Sequence, residues 1–457
     1  MAQETYPLVI LNGRVMDPET SRDQVANVGI RGDRIAVITT ANIRGRDTID
    51  ATGHMVAPGF IDILSSIRPE RKAHEDKAGD GVTTAIGIHG GPMDIDGYVA
   101  RQEAARPVVN YAATVDHREI REAVGITDRY AAAAPEQIPE MKELAREAIR
   151  NGAVGIGFGL NYSPGASYEE VFAMFQVAGE FGVMAAPHAR YKGNVFPFTM
   201  SLATMEVLAM AAATGASLQM IHLISSTVGS APLSIALIEG ARARGVDVGF
   251  DFHVWTRNQT SLQSALYDEG WQERFGGADY SCLYVAETQE NLTEERFYEL
   301  RAQPGALSVQ CEFIPEEEIV MGIRSPLGVI TSDGGGLVDG TGHPRSVGTF
   351  ARFLGRYVRD QGIVDWMEGL RRITLLPAQR MDRAMPGMKW KGRMQEGMDA
   401  DITVFNPETV RERATYANPD QRSAGIAYVI VNGQLAMDYG VAVEGAAPGR
   451  WLGQPGR

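Results

Sequence analysis

The middle of the chain alternates short apolar runs with longer helical patterns, and this alternation limits the possible folds more than any other feature. Patterns with helical spacing, such as PEQIPEMKELAREAIRNG and SYEEVFAMFQVAGEFG, lie between several of the apolar runs. Together with the stretch that begins at Pro58, the runs make about eight strands, which favours a (β/α)8 barrel. The runs, each of which ends in polar or glycine residues, are TTAIGI, NYAATV, AVGIGF, VMAAPH, SLQMIH, DVGFDF and GVITSD.

The two ends of the chain have a different residue pattern, in which valines and isoleucines alternate with polar residues. PLVILNGRVMD near the start and IAYVIVNGQLAMDYG near the end both follow this pattern, which is typical of strands. We therefore predict an α/β fold with a TIM-like (β/α)8 barrel and a small β-sandwich formed from both chain ends. Residues 1–57 and 384–457 would form the sandwich and residues 58–383 the barrel. The stretch 259–326 is longer than a usual βα connection and is expected to be a partly helical lid.

Charge and composition exclude some classes of function. The net charge is −14, from 43 basic and 57 acidic residues, which disfavours a nucleic-acid partner. No apolar run reaches about 18 residues, so no membrane span is expected. MAQETYPLVILNG has no basic leader, so no signal peptide is expected. The two cysteines, Cys282 and Cys311, do not make a disulfide framework in such a long chain, and a cytoplasmic location is predicted.

Histidines and aspartates occupy the predicted strand ends. In a barrel of this kind the active site lies at the C-terminal ends of the strands, and five of the eight histidines fall there. Imidazoles that converge from separate strands can bind a zinc-type ion. The strand-end residues are His89, Asp116, His117, His188, His222, Asp251, His253, Ser332 and Asp333.

Each of these residues also has a structural interpretation. His188 and His222 could cap buried strands through hydrogen bonds, although a ligand role is favoured for two histidines on adjacent strands. His89 lies in GIHGGP and could equally be a turn residue. Asp333 could cap a following helix, but a general-base role is favoured at the end of the last strand. His117 precedes REIRE and is interpreted as a helix-start residue.

Motifs that run nearly end to end resemble those of the amidohydrolase superfamily. Within it, the chain is similar to the N-acyl-D-amino-acid deacylase (D-aminoacylase) group, and the resemblance implies the same barrel and terminal β-sandwich. The stretches that carry the resemblance are LVILNGRVMDP, APGFID, GVTT, GAVGIGFGLNYSPGA, HARY, MIHL, ITSDGG, HPRSVGTFARFLGRYVRD, GMDADITVFNPETV and YANPDQRSAGIAYVIVNGQ.

The resemblance also implies roles for individual residues. The family's two later metal histidines match His188 and His222, and the aspartate that takes a proton from water matches Asp333. The loop that helps to enclose the acyl group resembles 160–165, which includes Tyr162. The HPR segment places His343 and Arg345 near the substrate, with a structural ion pair or a loop anchor as the alternative.

The chain departs from the family pattern at the metal site. Leu64 and Ser66 stand where the first strand usually carries an H-x-H pair. The family's metal cysteine falls at about Gly90, where there is no thiol, and His89 could replace it through a one-residue shift of the turn.

The substrate pocket also departs from the family pattern. A lysine that usually follows the strand-6 histidine is Ile224 here, so Arg190, Lys192 or Arg345 could bind a substrate carboxylate instead. A tyrosine pair is replaced by His253 and Trp255.

These observations lead to one preferred prediction of function. The protein would be a metal-dependent hydrolase of a non-peptide C–N bond in an N-acyl-amino-acid or related amide, with Asp333 as the general base. One divalent ion, expected to be Zn²⁺, would be held by His89, His188 and His222. The expected partners are a small-molecule substrate and a further copy of the chain, with no nucleic acid and no membrane. The predicted substrate-binding residues are Tyr162, Arg190, His253, Trp255, His343 and Arg345.

Two alternatives stay open at this point. The first is a lyase, an isomerase or a lactone hydrolase on the same scaffold with an altered or absent metal, because the fold does not fix the reaction. The second is a non-catalytic homologue that only binds a ligand.

Overall fold

The computed structural model describes residues 5–453, and within them strands and helices alternate as the sequence pattern predicts. The predicted segment boundaries stay predictions, and the outermost residues of 1–57 and 384–457 lie outside the described part of the chain. The strands are β1 (Thr5–Asp17), β2 (Arg22–Arg31), β3 (Arg34–Thr39), β4 (Arg44–Asp50), β5 (Met55–Pro58), β6 (Phe60–Asp62), β7 (Val82–Gly87), β8 (Asn110–Ala113), β9 (Val115–Asp116), β10 (Gly155–Gly159), β11 (Met184–His188), β12 (Ser217–Met220), β13 (Val248–Phe252), β14 (Arg257–Ser261), β15 (Tyr284–Val285), β16 (Glu290–Asn291), β17 (Ser308–Glu312), β18 (Gly328–Ile330), β19 (Ile402–Phe405), β20 (Ile426–Val431), β21 (Gln434–Asp438) and β22 (Val441–Ala442).

Helices connect most of the central strands. Three short 3₁₀ segments (Ala265–Tyr267, Tyr280–Cys282 and Pro386–Trp390) and a π-helical segment (Phe353–Asp360) complete the helical structure. The α-helices are α1 (Arg71–Gly79), α2 (Ile95–Ala104), α3 (His117–Ala123), α4 (Ile138–Arg150), α5 (Tyr168–Phe181), α6 (Met200–Thr214), α7 (Ile224–Thr227), α8 (Ala231–Ala243), α9 (Trp271–Arg274), α10 (Glu294–Arg301), α11 (Glu316–Arg324), α12 (Arg345–Arg352), α13 (Trp366–Ile373) and α14 (Leu375–Met381).

The central strands form a parallel array with eight strand positions. One ladder runs β6-β7-β8 and the other runs β9-β10-β11-β12-β13-β18. The two ladders are continuous along the chain, because β8 and β9 are one run interrupted only at Thr114. The backbone N–H of Thr114 donates to Gly87 O at 3.0 Å and its hydroxyl donates to the same oxygen at 3.1 Å. The strand–helix alternation therefore builds the α/β array that the sequence indicates.

The backbone ladder of the described chain does not close into a ring. Side chains span the gap between β6 and β18, the first and last strands of the array. Asp62 accepts hydrogen bonds from the backbone N–H of Ser332 at 3.0 Å and from its hydroxyl at 2.5 Å. Lys77 donates to Asp62 Oδ2 at 3.0 Å and to Ser332 Oγ at 2.6 Å. The barrel predicted from the sequence is thus an eight-position array whose two edges meet through this buried cluster.

Both chain ends join in one sheet, as their shared pattern of alternating apolar and polar residues indicates. The strands form a continuous hydrogen-bonded sheet in the order β22-β21-β20-β19-β5-β1-β2-β3, with β4 paired to β1. Its apolar cluster takes residues from β1, β2, β3, β5, β19 and β20 and is separate from the core of the parallel array. The strands that the sequence analysis assigns to the β-sandwich thus form one continuous hydrogen-bonded set of nine strands with its own core.

An insertion lies between β13 and β18. Its antiparallel sheet has the order β14-β17-β15-β16, and α9 and α10 pack with it around a separate apolar cluster. The insertion therefore combines helices with a sheet that the sequence analysis did not predict, and its role as a lid stays a prediction.

The two cysteines pair within this insertion. Cys282 and Cys311 form a disulfide with an S–S distance of 2.13 Å. The cytoplasmic location was inferred on the ground that two cysteines do not make a disulfide framework, and this disulfide removes that ground. Among residues 5–453, no helix is long and apolar enough to cross a membrane.

Candidate metal centre

Three histidines from separate strands converge at one edge of the array. His188 ends β11, while His89 and His222 lie two residues beyond β7 and β12. One ring nitrogen from each lies within 4.8 Å of the other two. His89 Nε2 and His188 Nδ1 are 3.4 Å apart. The structure thus brings together the three residues that the sequence nominated as ligands.

The imidazoles of His188 and His222 are neutral at physiological pH. Burial lowers the pKa of His188 well below its ordinary value, and the neighbouring His222 and His89 lower it further. Burial likewise lowers the pKa of His222 to about 3. Neutral imidazoles offer lone pairs, and lone pairs that face one another are stabilised by a cation between them. The donor set therefore fits a zinc-type ion.

The side chain of Asn161 orients His188. Its Nδ2 is in short hydrogen-bond contact with His188 Nε2, so the other ring nitrogen is directed towards the three-histidine cluster. The Oδ1 atom of Asn161 is buried and has no hydrogen-bond partner within the described chain. Sequence reasoning did not select this residue, although it directly precedes Tyr162 in GLNYSPG.

A buried aspartate orients the turn that carries His222. The carboxylate of Asp251 accepts a hydrogen bond from the backbone N–H of His222 at 2.8 Å. It also accepts from Gln219 at 3.0 Å and from Thr331 at 3.2 Å. Burial raises the pKa of Asp251 to about 7. This strand-end aspartate therefore stabilises the turn through hydrogen bonds and lies behind the histidine.

Asp333 lies at the end of the last parallel strand, in a left-handed backbone conformation with φ of 51°. Its Oδ2 pairs with Nη1 of Arg345 at 2.8 Å. Burial is the largest effect and would raise the pKa of Asp333, but the charge of Arg345 and smaller contributions from His222, His253 and His89 together lower the pKa overall. The carboxylate is therefore ionised at neutral pH, and it interacts electrostatically with His222, His253 and His89.

Tyr162 and His253 lie beside the histidine cluster. The ring of Tyr162 packs edge-on against His188 at 4.9 Å between centroids, and its hydroxyl hydrogen-bonds Thr260 at 3.1 Å. Burial raises the pKa of Tyr162 to about 12, so the phenol stays protonated. His253 Nε2 is buried without a partner among residues 5–453.

The other predicted substrate-binding residues are engaged by protein groups. Trp255 Nε1 donates to Thr349 Oγ1 at 3.0 Å. His343 bonds the carbonyl of Arg257 at 3.1 Å through Nε2 and accepts from the backbone N–H of Arg345 at 3.0 Å.

Arg190 and His117 are also held by carboxylates. Arg190 pairs with Glu206 at 3.0 Å and donates to Ala166 O at 2.7 Å. His117 begins α3 and lies 3.3 Å from Glu170, in keeping with its interpretation as a helix-start residue.

The structure also shows the environments of Leu64, Ser66 and Gly90, the positions that the sequence analysis compares with the family's metal ligands. Leu64 is 1% exposed and belongs to the main core, whereas Ser66 is exposed. Gly90 has φ of 152°, and a Cβ there would lie 2.8 Å from the Asp116 carboxyl carbon. Gly90 therefore cannot carry a ligand side chain without displacement of Asp116, and His89 is the residue of this turn that reaches the cluster.

Two cavities lie next to the histidine cluster, one lined by Tyr162 and the other by the preceding residue, Asn161. The first, about 450 Å³, is lined by His89 and Tyr162 together with residues of the β9–α3 region and the insertion. The second, about 520 Å³, is lined by Asn161, Lys192 and Leu266.

A parallel α/β array that gathers three imidazoles and an ionised aspartate at its strand ends is typical of a metal-dependent hydrolase. No family model matches the chain. It is 31% identical to an N-acyl-D-glutamate deacylase of Alcaligenes xylosoxydans xylosoxydans over 94% of this chain and 93% of that protein. It is 29% identical to the D-aminoacylase of the same organism over 94% of both. The chain belongs to the N-acyl-D-amino-acid deacylase family of the amidohydrolases, enzymes that hydrolyse carbon–nitrogen bonds other than peptide bonds.

Solved structures agree with this family. An N-acyl-D-glutamate deacylase from Bordetella bronchiseptica, complexed with zinc and a phosphonate mimic of the tetrahedral intermediate, has a TM-score of 0.84 at 26% identity. The match covers 99% of this chain and 100% of that one. A D-hydantoinase from Thermus sp. has a TM-score of 0.64 at 16% identity over 98% of this chain and 99% of that one, a likeness of fold alone.

Proposed function

We propose that the protein is a deacylase of N-acyl-D-amino acids that works with one divalent ion, expected to be Zn²⁺, held by His89, His188 and His222. The observation that carries this proposal is the convergence of three imidazole nitrogens within 4.8 Å of one another, beside the ionised Asp333. The names of the relatives support the substrate class, since they are deacylases of N-acyl-D-amino acids.

The residues of the site divide the chemistry between them. An ion bound by the histidines supplies Lewis-acid polarisation of the amide carbonyl and lowers the pKa of water. Asp333 accepts the proton of the attacking water and returns it to the leaving nitrogen. The charge of Arg345 keeps the Asp333 carboxylate ionised and ready to accept. Tyr162 packs on His188 and shields the reaction from bulk water.

We propose a single ion because the first strand supplies no ligand. Leu64 is buried in the core and Ser66 has no imidazole to offer. The related D-aminoacylase has a binuclear centre with activation by one metal and attenuation by the second. A mononuclear site in this chain would lack the attenuating position.

The remaining parts of the proposal concern closure of the barrel, the binding partners and the cellular location. We propose that the cluster of Asp62, Lys77 and Ser332 closes the array into the barrel of the family. The substrate is a small molecule, and nucleic acid is not a partner, in keeping with a net charge of −14. Homo-oligomer formation and a cytoplasmic location stay predictions, and the Cys282–Cys311 disulfide speaks against the second, because such bonds persist mainly in oxidising compartments.

Metal analysis and hydrolysis of N-acetyl-D-amino acids by the purified protein test this proposal together. About one zinc per chain is expected, and His222→Ala should lose both metal and activity. His54→Ala is the matched control, because the His54 ring hydrogen-bonds the carbonyl of Thr52 and is not part of the histidine cluster, and this variant should keep both. Activity without metal would indicate a metal-free enzyme instead. Neither metal nor turnover of amides and lactones would indicate a ligand-binding homologue.

A further inference from the structure

We propose that the buried ammonium group of Lys192 binds the free carboxylate of the substrate. This inference rests on the proposed deacylase function and deepens it. It restricts the substrates to N-acyl amino acids with an ionised carboxylate, and it disfavours cyclic amides, lactones and carboxyl-blocked analogues.

The environment of Lys192 is unusual for a lysine. The residue is 4% exposed, and its ammonium donates to the carbonyl of Ser225. The aromatic rings of Phe275 and Phe313 lie 4.8 and 4.3 Å from Nζ. None of the ion pairs within residues 5–453 includes Lys192, and burial lowers its pKa to about 7. A buried cation without an anion is costly, and a bound anion would remove that cost.

Three other cations around the site already have carboxylate partners, whereas Arg274, which lines the same cavity as Lys192, donates to the backbone carbonyls of Glu269, Leu266 and Asp268. Arg190 pairs with Glu206 at 3.0 Å, and Arg345 pairs with Asp333 at 2.8 Å. Arg121, at the wall of the first cavity, pairs with Glu170. An incoming carboxylate would have to compete with an existing one at each of these. At Lys192 it would meet only a carbonyl oxygen and two aromatic rings.

Lys192 also lines a cavity next to the histidine cluster. It lines the cavity of about 520 Å³ that reaches the histidines through Asn161, and its charge acts on the imidazoles of His188 and His222. In an N-acyl amino acid only one carbon separates the scissile nitrogen from the carboxylate. A cation beside the metal ligands is therefore placed for that carboxylate, and the apolar Leu266 and Phe198 of the same cavity can contact the amino-acid side chain.

A non-hydrolysable pair of ligands tests the inference without turnover. In 4-oxopentanoate a methylene group replaces the amide nitrogen of N-acetylglycine, and 4-oxopentanamide is its uncharged counterpart. Calorimetry on the full chain should show that the acid binds about tenfold or more tightly than the amide, because one charge-assisted contact is added. Lys192→Gln keeps a donor for Ser225 O but removes the charge, and the preference should fall to about onefold. Lys192→Arg should retain it.

Two controls separate a binding role from a structural one. Lys142→Met changes an exposed lysine that contacts Gln176, and this variant should keep the preference for the acid. Lys192→Met should unfold at a temperature equal to or higher than that of the wild type, because it removes an unpaired buried charge. A lower melting temperature with an unchanged preference would assign Lys192 a purely structural role.

The outcomes also distinguish this inference from the proposed function. Equal binding of acid and amide by the wild type, or an unchanged preference in Lys192→Gln, would overturn the role of Lys192 even if the zinc-loaded protein hydrolyses N-acetyl-D-methionine. A clear preference that Lys192→Gln abolishes supports the carboxylate site. If the same protein hydrolyses no N-acyl amino acid, the deacylase function fails while the carboxylate site stands.

Discussion

Asn161 connects the metal-ligand cluster to the loop that follows β10. Its amide is in hydrogen-bond contact with His188 Nε2, and partners of this kind hold a ligating ring in the orientation that binding requires. Loss of such a partner typically lowers metal affinity by about 10–100-fold. We predict that Asn161→Leu weakens zinc binding by at least about tenfold, measured by competition with a chelator. Asn291→Leu, an exposed change in the insertion, should leave the affinity unchanged, and equal affinities in both variants would contradict the prediction.

Arg345 sets the protonation of the proposed general base. Its guanidinium opposes the effect of burial and lowers the pKa of Asp333. Removal of this charge in Arg345→Met should raise the pKa of Asp333, so that the carboxylate protonates at a higher pH. The acidic limb of the kcat/KM profile should therefore move to higher pH.

A neighbouring arginine provides the control for this pH profile. Arg356→Met breaks a pair with Glu316 and should not move the acidic limb. A limb that stays in place in Arg345→Met would exclude Asp333 as the group responsible for it.

The positions of the three histidines could be predicted from the sequence because they follow from the regular alternation of strands and helices. Apolar runs that end in histidine place the side chains at one edge of a parallel array, and His89, His188 and His222 do lie together there. What holds them could not be predicted in the same way. The contact between Asn161 and His188 depends on how the loop after β10 folds over the strand ends, and no spacing in the sequence encodes that path.

At the scale of elements, the central strands were predictable and the insertion was not. Each central strand is an apolar run with its own helix, whereas β15 and β16 are two-residue strands whose pairing depends on contacts within the insertion. The cysteines illustrate the same limit. Cys282 and Cys311 are 29 residues apart in sequence, and only the fold brings their Cα atoms to 4.9 Å. A disulfide requires that proximity.

The disulfide should stabilise the insertion more than the rest of the protein. It closes a loop of 29 residues, and the chain-entropy model gives about 3–4 kcal/mol for a loop of this size. In Cys282→Ser we expect faster proteolysis within residues 262–307, with the main unfolding transition retained. Peptide mapping without reduction should first find the two cysteine peptides linked. Two separate, alkylated peptides would contradict the disulfide itself.

At the scale of the whole molecule, the sequence predicted the number of strands in the parallel array but not how the first and last strands of the array meet. β6 and β18 have three residues each, too few for a pattern that specifies pairing. The edges instead meet through Asp62, which accepts from the backbone and the hydroxyl of Ser332, and through Lys77, which contacts both. These side chains come from three distant parts of the chain, so their arrangement is a property of the folded molecule.

This junction gives a prediction that joins global stability to catalysis. Lys77→Met would leave the Asp62 carboxylate buried without its cation, and breakage of a buried pair typically costs about 3–5 kcal/mol. Urea unfolding should show that loss. Arg14→Met, which breaks an exposed pair with Asp23, should cost about 1 kcal/mol or less. Because Ser332 directly precedes Asp333, Lys77→Met should also lower kcat more than it changes KM. A variant as stable as Arg14→Met would mean that the edges of the array do not depend on this cluster.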